Sequence, residues 1–278
     1  MTGHDIMILG GPNAGKTHFG GQLYGRLQRA QGRWRVAGTP KDLSVFAEVL
    51  GRLDRGLAGD HTSSEMHAEL CCRIVRDDGQ TVELRWPDYG GEQFDELLRT
   101  RSVPEAWQRR LCRAQGWLLM LRASGLQRME DRLDRSPTGD VGSGSSRGAA
   151  GWDFGVRMVE TLQILLASSR LSTHHRLAVP RLAVVLSCWD LLDAPDSPRA
   201  ELHRRLPLVE SFISSNWQRD AWDVWGLSSL ERTLDCTKPD AEFCDIPPEE
   251  CGYVVAPDDT AHDPDLTRPV DWLLGGSI

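Results

Sequence analysis

Short apolar runs alternate with segments of helical periodicity along most of this sequence. Four runs have the length and composition of buried parallel strands, at residues 6–9, 116–124, 181–188 and 222–227. Five longer segments repeat their apolar residues as helices with one buried face do, at residues 16–30, 42–55, 94–114, 154–169 and 199–217. Strands and helices in this order predict a doubly wound α/β fold, with a mostly parallel sheet and helices on both faces.

One pair of predicted strands departs from the parallel pattern. Residues 69–76 and 80–86 are separated only by Asp77-Asp78-Gly79. An Asp-Gly turn between two such runs is typical of a β-hairpin. We therefore expect the second and third strands of the sheet to form a hairpin that adds one antiparallel strand.

The chain contains no repeat and no boundary between two independent cores, so we expect residues 1–278 to form a single domain. Three additions interrupt its regular elements. An extra helix lies within 40–57, and a low-complexity segment predicts a flexible insert at 125–151. The acidic, proline-bearing segment 232–267 predicts an irregular excursion, after which residues 268–274 offer a short terminal helix.

Composition excludes several classes of function. The 278 residues are 40% hydrophobic, enough for a sizeable core, and the formal net charge is −8. This charge argues against general binding of nucleic acid or of an anionic membrane. A local basic stripe remains at one predicted helix, which we interpret as a solvated face: Arg99, Arg101, Arg109, Arg110 and Arg113.

The cysteines and the chain start bear on the compartment. The seven cysteines form no C-x-x-C pair and lie mostly in apolar or helical segments, which favours reduced thiols. Cys236, Cys244 and Cys251 with His262 offer an alternative zinc site, but their spacing matches no familiar one. The first strand begins too early for a signal peptide, and no apolar run reaches the length of a membrane span. We expect a cytoplasmic protein.

The most specific chemical signal is the run from Gly10 to Thr17, which fits the pattern G-x-x-x-x-G-K-T. A strand precedes it and a helix follows, as a phosphate-binding loop requires. Its backbone N–H groups would bind phosphate, with Lys16 on the outer phosphates and Thr17 on Mg²⁺. We expect the loop to bind a nucleotide through the following residues: Pro12, Asn13, Ala14, Gly15, Lys16, Thr17 and His18.

A second motif follows the hairpin, at the carboxyl end of its last strand. Asp88 and Gly91 form D-x-x-G. The aspartate can hold Mg²⁺ through a water molecule, and the glycine N–H can contact a terminal phosphate. Read alone, this pattern is equally compatible with an ordinary turn that ends a strand.

With these motifs in this order, residues 4 to about 230 resemble the translation-factor-related class of P-loop GTPases, which includes Ras-like and Arf-like proteins. More narrowly, the chain is similar to the bacterial double-GTPase family. The shared features are the extra helix before the first switch, the D-x-x-G-G-E form and the long excursion before a terminal helix. The resemblance implies that GTP, GDP and Mg²⁺ are ligands. It also implies a protein partner or paralogous GTPase, in a bacterial conflict or defence system.

The resemblance also implies which residues bind Mg²⁺ and the base. Thr62 is the candidate that closes over Mg²⁺, with Ser63 and Ser64 as alternatives or the three as a solvated loop. Guanine specificity would come from Ser187-Cys188-Trp189-Asp190, which stands where the class has N-K-x-D. Its aspartate could accept from both the ring N–H and the amine of guanine, whereas its serine and cysteine depart from the motif.

Two further interpretations concern this segment and its neighbour. Trp189 could replace the lysine stem that covers the base, and Asp190 could instead only cap the residues that follow it. The last base-binding turn would be Ser228, Ser229 and Leu230, with the N–H of Ser229 donating to the guanine carbonyl.

For hydrolysis, the expected catalytic residues are Lys16, Gly91, Glu92 and Gln93. Glu92 stands where the class often has a water-orienting glutamine, and its negative charge near an anionic phosphate predicts slow turnover. The sequence thus predicts a Mg²⁺-dependent GTPase switch. Two alternatives stay open, a nucleotide-binding scaffold with little hydrolysis and an ATP-using P-loop enzyme.

Overall fold

Nine strands and nine α-helices account for the regular structure in the part of the chain that the computed structural model describes, residues 5–30, 32–38, 44–59, 69–87, 92–126, 146–171, 175–247 and 250–276. The strands are β1 (Asp5–Leu9), β2 (Trp34–Val36), β3 (Glu69–Arg76), β4 (Thr81–Pro87), β5 (Ala114–Arg122), β6 (Arg181–Ser187), β7 (Trp222–Ser228), β8 (Tyr253–Val255) and β9 (His262–Asp263). The helices are α1 (Lys16–Arg29), α2 (Ser44–Leu53), α3 (Glu92–Thr100), α4 (Glu105–Leu111), α5 (Ser146–Ser168), α6 (Pro198–Arg205), α7 (Pro207–Asn216), α8 (Ala241–Cys244) and α9 (Arg268–Leu273).

The main sheet has six strands in the order β1-β5-β6-β7-β8-β9. The first four are parallel, while β8 pairs antiparallel with β7 and β9 pairs antiparallel with β8. The apolar runs therefore formed the buried parallel strands that their composition predicted. The mostly parallel α/β architecture is confirmed.

The predicted hairpin is also present, with Val75 opposite Thr81 next to the turn. Gly79 adopts φ 86°, and the N–H of Gln80 donates to Asp78 Oδ1. Both features are typical of a tight turn. The hairpin joins β2 in a separate three-stranded sheet, β2-β3-β4, whose strand β4 lies beside β1. Apolar side chains from both sheets pack into one core, so side-chain packing holds the two sheets together.

Two predicted helices are each divided in two. The segment 94–114 forms α3 and α4 with Pro104 at the start of α4, and the segment 199–217 forms α6 and α7 with Pro207 as the first residue of α7. Proline lacks an N–H and disfavours a helical residue before it, so each proline begins a new helix. Helix α5 begins at Ser146 and so includes the end of the expected insert, whose residues 127–145 lie outside the described part of the chain.

The excursion expected to be irregular contains regular structure. Helix α8 and strands β8 and β9 lie within 232–267, and β8 extends the main sheet beyond β7. The run Tyr253-Val254-Val255 has the aromatic and β-branched composition of a strand. The predicted terminal helix is α9, which packs against β5 and β6.

Apolar cores cover both faces of the main sheet. Successive residues of one strand belong to opposite cores, as Leu118 and Leu119 of β5 do. This alternation places helices on both sides of the parallel strands. None of the described helices has both the length and the apolar character that crossing a bilayer requires.

Candidate functional site

The candidate residues gather at the carboxyl ends of β1, β6 and β7. Each of these parallel strands ends in a segment that the sequence assigned to nucleotide binding: 10–17, 187–190 and 228–230. In open parallel sheets this edge is where ligands bind. Strand β5 lies between β1 and β6, so one strand stands between the first two segments.

The backbone of the phosphate loop turns toward the start of α1. Asn13 and Gly15 adopt left-handed conformations, with φ 57° and φ 81°. Gly15 is the N-cap of α1, which has no side-chain cap, and its carbonyl accepts from Phe19 at 3.0 Å. The positive N-terminal end of the helix therefore faces the loop.

Lys16 is held against this loop. Its Nζ donates to the carbonyl oxygens of Gly10 at 2.8 Å and Gly11 at 2.9 Å, and the residue is 7% exposed. A Cβ on Gly10 would lie 2.9 Å from the Met120 carbonyl oxygen, so only glycine permits this close approach to β5. The loop thus presents an ammonium group and a helix N-terminus, a donor set that fits phosphate groups.

His18 connects α1 to the segment that follows α2. Its Nε2 accepts from the N–H of Gly59 at 2.9 Å, and burial lowers the pKa of the imidazole. Both facts agree with a neutral ring that acts as an acceptor. Gly59 is the last described residue before 60–68, so His18 fixes the point from which the Thr62 segment departs.

Ser187 lies where β6 approaches the phosphate loop. Its Oγ donates to the Leu121 carbonyl at 3.3 Å, and its Cβ is 3.9 Å from the position that a Cβ on Gly15 would take. The side chain therefore joins β6 to β5 beneath the loop. Cys188 follows in a left-handed conformation, with φ 55°, and burial raises the pKa of its thiol.

Trp189 is part of the core. The residue is 2% exposed, and a Cβ on Gly226 would lie 2.8 Å from its ring. Because the ring packs against β7, it is unavailable to cover a bound base. The suggestion that Trp189 replaces a lysine stem is therefore wrong.

Asp190 has a different environment. It lies in a short 3-10 turn, Trp189–Leu191, and is half-buried. No described residue donates a hydrogen bond to its carboxylate, and the turn has no side-chain cap. The interpretation that Asp190 only caps the following residues finds no support in these contacts. A half-buried carboxylate without an internal donor is suited to a ligand that brings donors.

The turn after β7 is locked to β8. Ser228 is fully buried, and its Oγ accepts from the N–H of Glu231 at 2.9 Å. Glu231 Oε1 in turn accepts from the N–H of Gly252 at 2.7 Å. Gly252 has φ 98°, and a Cβ there would lie 2.6 Å from the Ser229 carbonyl oxygen. These contacts fix the backbone of the segment 228–230.

A buried arginine, which the sequence did not suggest, ties the phosphate-binding helix to this region. Arg26 is 2% exposed and donates to the carbonyl oxygens of Cys251 at 2.7 Å, Gly252 at 3.0 Å and Pro264 at 3.1 Å. Burial lowers the pKa of its guanidinium to about 10. An arginine within an amphipathic helix is normally predicted to lie on the surface. No local sequence pattern therefore indicates that Arg26 is buried.

Tyr253 was not among the residues that the sequence suggested, although the composition of residues 253–255 is typical of a strand. It begins β8 and lies opposite Ser228 of β7. Burial raises the pKa of its phenol to about 12, and the nearby carboxylates of Asp190 and Glu231 act in the same direction. The start of β8 thus lies beside the turn after β7.

The remaining candidates fall into two groups. Glu92 and Gln93 are the first residues of α3, which places their backbone at the start of that helix. Five candidates lie outside the described residues: Thr62, Ser63, Ser64, Asp88 and Gly91. Within the described part of the chain no three histidine, cysteine or acidic residues are grouped to hold a metal ion, so the alternative zinc site does not form.

Comparison with known proteins gives one family match. The family model described as Double-GTPase 1 matches residues 7–273 of this chain. At the level of sequence, no curated protein matches it.

Solved structures give more distant likenesses. The signal recognition particle receptor SRb-GTP/SRX complex from Chaetomium thermophilum is 13% identical, with 84% of this chain and 94% of that chain covered and a TM-score of 0.46. The Arl6 BBS3 small GTPase from Trypanosoma brucei with bound GppNp is 10% identical, with 99% and 96% covered and a TM-score of 0.45.

Proposed function

Because the chain belongs to the Double-GTPase 1 family, we propose that it is a Mg²⁺-dependent molecular switch that binds and slowly hydrolyses GTP. The observation that carries the choice of base is the Asp190 carboxylate, which is half-buried and has no described donor. It lies at the end of β6, whose Ser187 adjoins the phosphate loop. A guanine would bring two adjacent donors to such a carboxylate, whereas adenine would not.

The phosphate end has the groups that a triphosphate requires. Lys16 is anchored by two loop carbonyls, which orient its ammonium group at the loop. The loop amides and the N-terminus of α1 supply further positive potential. These groups would stabilise negative charge that develops on the phosphate oxygens during hydrolysis.

Thr17, Thr62 and Asp88 are the residues that we propose to hold Mg²⁺. When bound, this ion would neutralise phosphate charge. The N–H of Gly91 would contact the terminal phosphate, and Glu92 and Gln93 would orient the attacking water. The negative charge of Glu92 near the phosphate would make turnover slow.

We further propose that the segments around Thr62 and 88–94 change conformation between the GTP and GDP states. Such a change would control a partner protein or a paralogous GTPase, in a bacterial conflict or defence system. The contact of His18 with Gly59 supports this role, because it fixes one end of the first segment on the phosphate-binding helix.

The test is a nucleotide panel with matched lysine variants. Binding of GTP, GDP, XTP and ATP and release of phosphate are measured with and without Mg²⁺. GTP and GDP should bind most tightly, and Lys16→Ala should weaken GTP binding by at least about tenfold, since it removes a charge-assisted contact. Lys238→Ala, at an exposed lysine, is the control and should leave GTP binding unchanged.

Three outcomes discriminate among the candidate functions. A preference for ATP would contradict the guanine assignment. Tight GTP binding without phosphate release would favour a scaffold. Equal losses in the two lysine variants would remove Lys16 from the phosphate site.

A further inference from the structure

Tyr253 occupies a defined place beside the turn after β7. As the first residue of β8 it is the register partner of Ser228, so the antiparallel ladder fixes its backbone. Its ring stacks on the ring of His262 from β9, with centroids 3.6 Å apart and an interplanar angle of 8°. The residue is 9% exposed. The excursion therefore delivers a rigid aromatic side chain to the base end of the site.

The hydroxyl group of Tyr253 lies within electrostatic reach of two carboxylates, those of Asp190 and Glu231. Burial and these charges raise the pKa of the phenol to about 12, so the hydroxyl is protonated and available as a donor at neutral pH. No hydrogen bond between described residues uses it. Glu231 already accepts from Gly252, whereas Asp190 has no described donor.

The Tyr253 hydroxyl and the Asp190 carboxylate are thus a donor and an acceptor without described partners, and each adjoins a segment assigned to the base: Tyr253 lies opposite Ser228, and Asp190 lies in the turn after β6. A 6-oxopurine presents the complementary pattern, because its carbonyl oxygen is adjacent to its N1–H. Adenine presents an amine and an unprotonated N1 at the same two positions. The pair would therefore favour a 6-oxopurine over adenine.

We propose that Tyr253 is a specificity-determining residue of the nucleotide site, whose hydroxyl donates to the 6-oxo group of the purine that Asp190 holds by its N1–H. This inference rests on the proposed function and adds a contact from the C-terminal excursion. It supplies polar recognition at a site where Ser187 is bonded to Leu121 and Trp189 is buried in the core.

The surrounding contacts hold Tyr253 in this position. Arg26 binds the carbonyls of the two preceding residues, and Glu231 binds the N–H of Gly252. With His262 against the ring, these contacts give β8 few alternative conformations. A preorganised donor loses little entropy on binding, which makes its hydrogen bond effective.

The test compares the full-length protein with Tyr253→Phe, which keeps the ring and its stack on His262 but removes the hydroxyl. Affinities are measured for GTP, ITP and 6-thio-GTP. Loss of one hydrogen bond should weaken GTP and ITP binding by about 3- to 10-fold. The loss for 6-thio-GTP should be smaller, because sulfur is a weak acceptor.

Tyr24→Phe is the matched control. It removes a hydroxyl from a buried residue of α1, where that hydroxyl accepts from Gln28 Nε2 at 2.6 Å. Its affinities for the three nucleotides should not change relative to one another. Thermal unfolding of both variants shows whether the fold is retained.

Two results would contradict the inference and leave the proposed function intact. One is that Tyr253→Phe binds GTP with wild-type affinity, and the other is that the variant loses affinity equally for GTP and 6-thio-GTP. The second result would mean that the phenol acts only through the shape of the site. If the wild-type protein binds no 6-oxopurine nucleotide at all, the proposed function fails and the inference fails with it. GTP binding by the wild type therefore separates the two failures.

Discussion

At the scale of single residues, the polar groups of the candidate site differ in whether they have a described hydrogen-bond partner. Lys16 and Ser187 have well-defined acceptors within the protein, whereas the Asp190 carboxylate has no described donor. A half-buried carboxylate left in this state costs free energy unless water or a ligand provides donors. This carboxylate is therefore the most informative single group in the turn after β6.

Asp190→Asn should shift nucleotide preference from GTP toward XTP. The new amide can donate to the 2-oxo group of xanthine but would meet the 2-amino group of guanine with its own donors. We expect the ratio of the two affinities to change by about tenfold or more. Competition binding measures this ratio, with Asp193→Asn at an exposed neighbouring carboxylate as the control. Unchanged GTP affinity would remove Asp190 from the site.

Glu92→Gln should preserve or raise the rate of GTP hydrolysis. The substitution removes a negative charge that would oppose the anionic phosphate, while the amide can still orient water. Phosphate release in single-turnover conditions measures the rate. Glu96→Gln is the control on the same helix, where the carboxylate is exposed and paired with Arg99. A loss of roughly 100-fold in the Glu92 variant would instead identify this residue as a working base.

At the scale of elements, the phosphate-binding helix carries more than the phosphate loop. Arg26, ten residues after Lys16, faces the turn that precedes β8 and binds three backbone carbonyls of the excursion. The same helix contributes His18 to the segment after α2. Helix α1 therefore links the phosphate loop, the turn before β8 and the segment that follows α2.

Arg26→Met should destabilise this link. Methionine retains much of the apolar stem but leaves three carbonyl oxygens without their charged donor. We expect the free energy of unfolding to fall by about 2–5 kcal/mol, as when a buried charged group loses its contacts. Urea denaturation gives this value, and hydrogen exchange should accelerate at residues 251–264. Arg29→Met, at an exposed position of the same helix, is the control, and an equal effect there would contradict the link.

At the scale of the whole molecule, one carboxylate joins the three-stranded sheet to the C-terminal helix. Asp271 of α9 is 1% exposed and accepts from Trp34 Nε1 at 2.8 Å, Arg33 at 3.1 Å and Arg76 at 3.4 Å. Its donors come from β2, from the residue before β2 and from β3. The end of the chain thus holds the hairpin that leads toward Asp88.

Asp271→Asn should lower the free energy of unfolding by about 1–3 kcal/mol, because two arginines lose their anionic partner while the side-chain shape is kept. Asp77→Asn is the control. Its carboxylate pairs with Arg35, but the two side chains are 75% and 50% exposed, so the change should be within about 1 kcal/mol. Urea denaturation of both variants measures the difference, and equal effects would contradict a structural role for Asp271.

Much of the fold could be predicted from the sequence, because its signals are local. The apolar runs marked the parallel strands, and Asp78-Gly79 marked the hairpin. The division of two helices could also have been predicted from the sequence, because Pro104 and Pro207 restrict the backbone at the points where the new helices begin. The pattern G-x-x-x-x-G-K-T located the phosphate loop for the same reason, as its geometry depends on neighbouring residues.

By itself, then, the sequence determined the four parallel strands, the hairpin, the phosphate loop and the position of Asp190 after β6. Only the tertiary structure decided that Trp189 is core, that Arg26 is buried against the residues that precede β8 and that Tyr253 lies opposite Ser228. Arg26 and Gly252 are 226 positions apart, and no local periodicity encodes such a contact. Local backbone preferences act over a few residues, whereas the burial and partner of a charged or aromatic side chain depend on which distant segments pack against it.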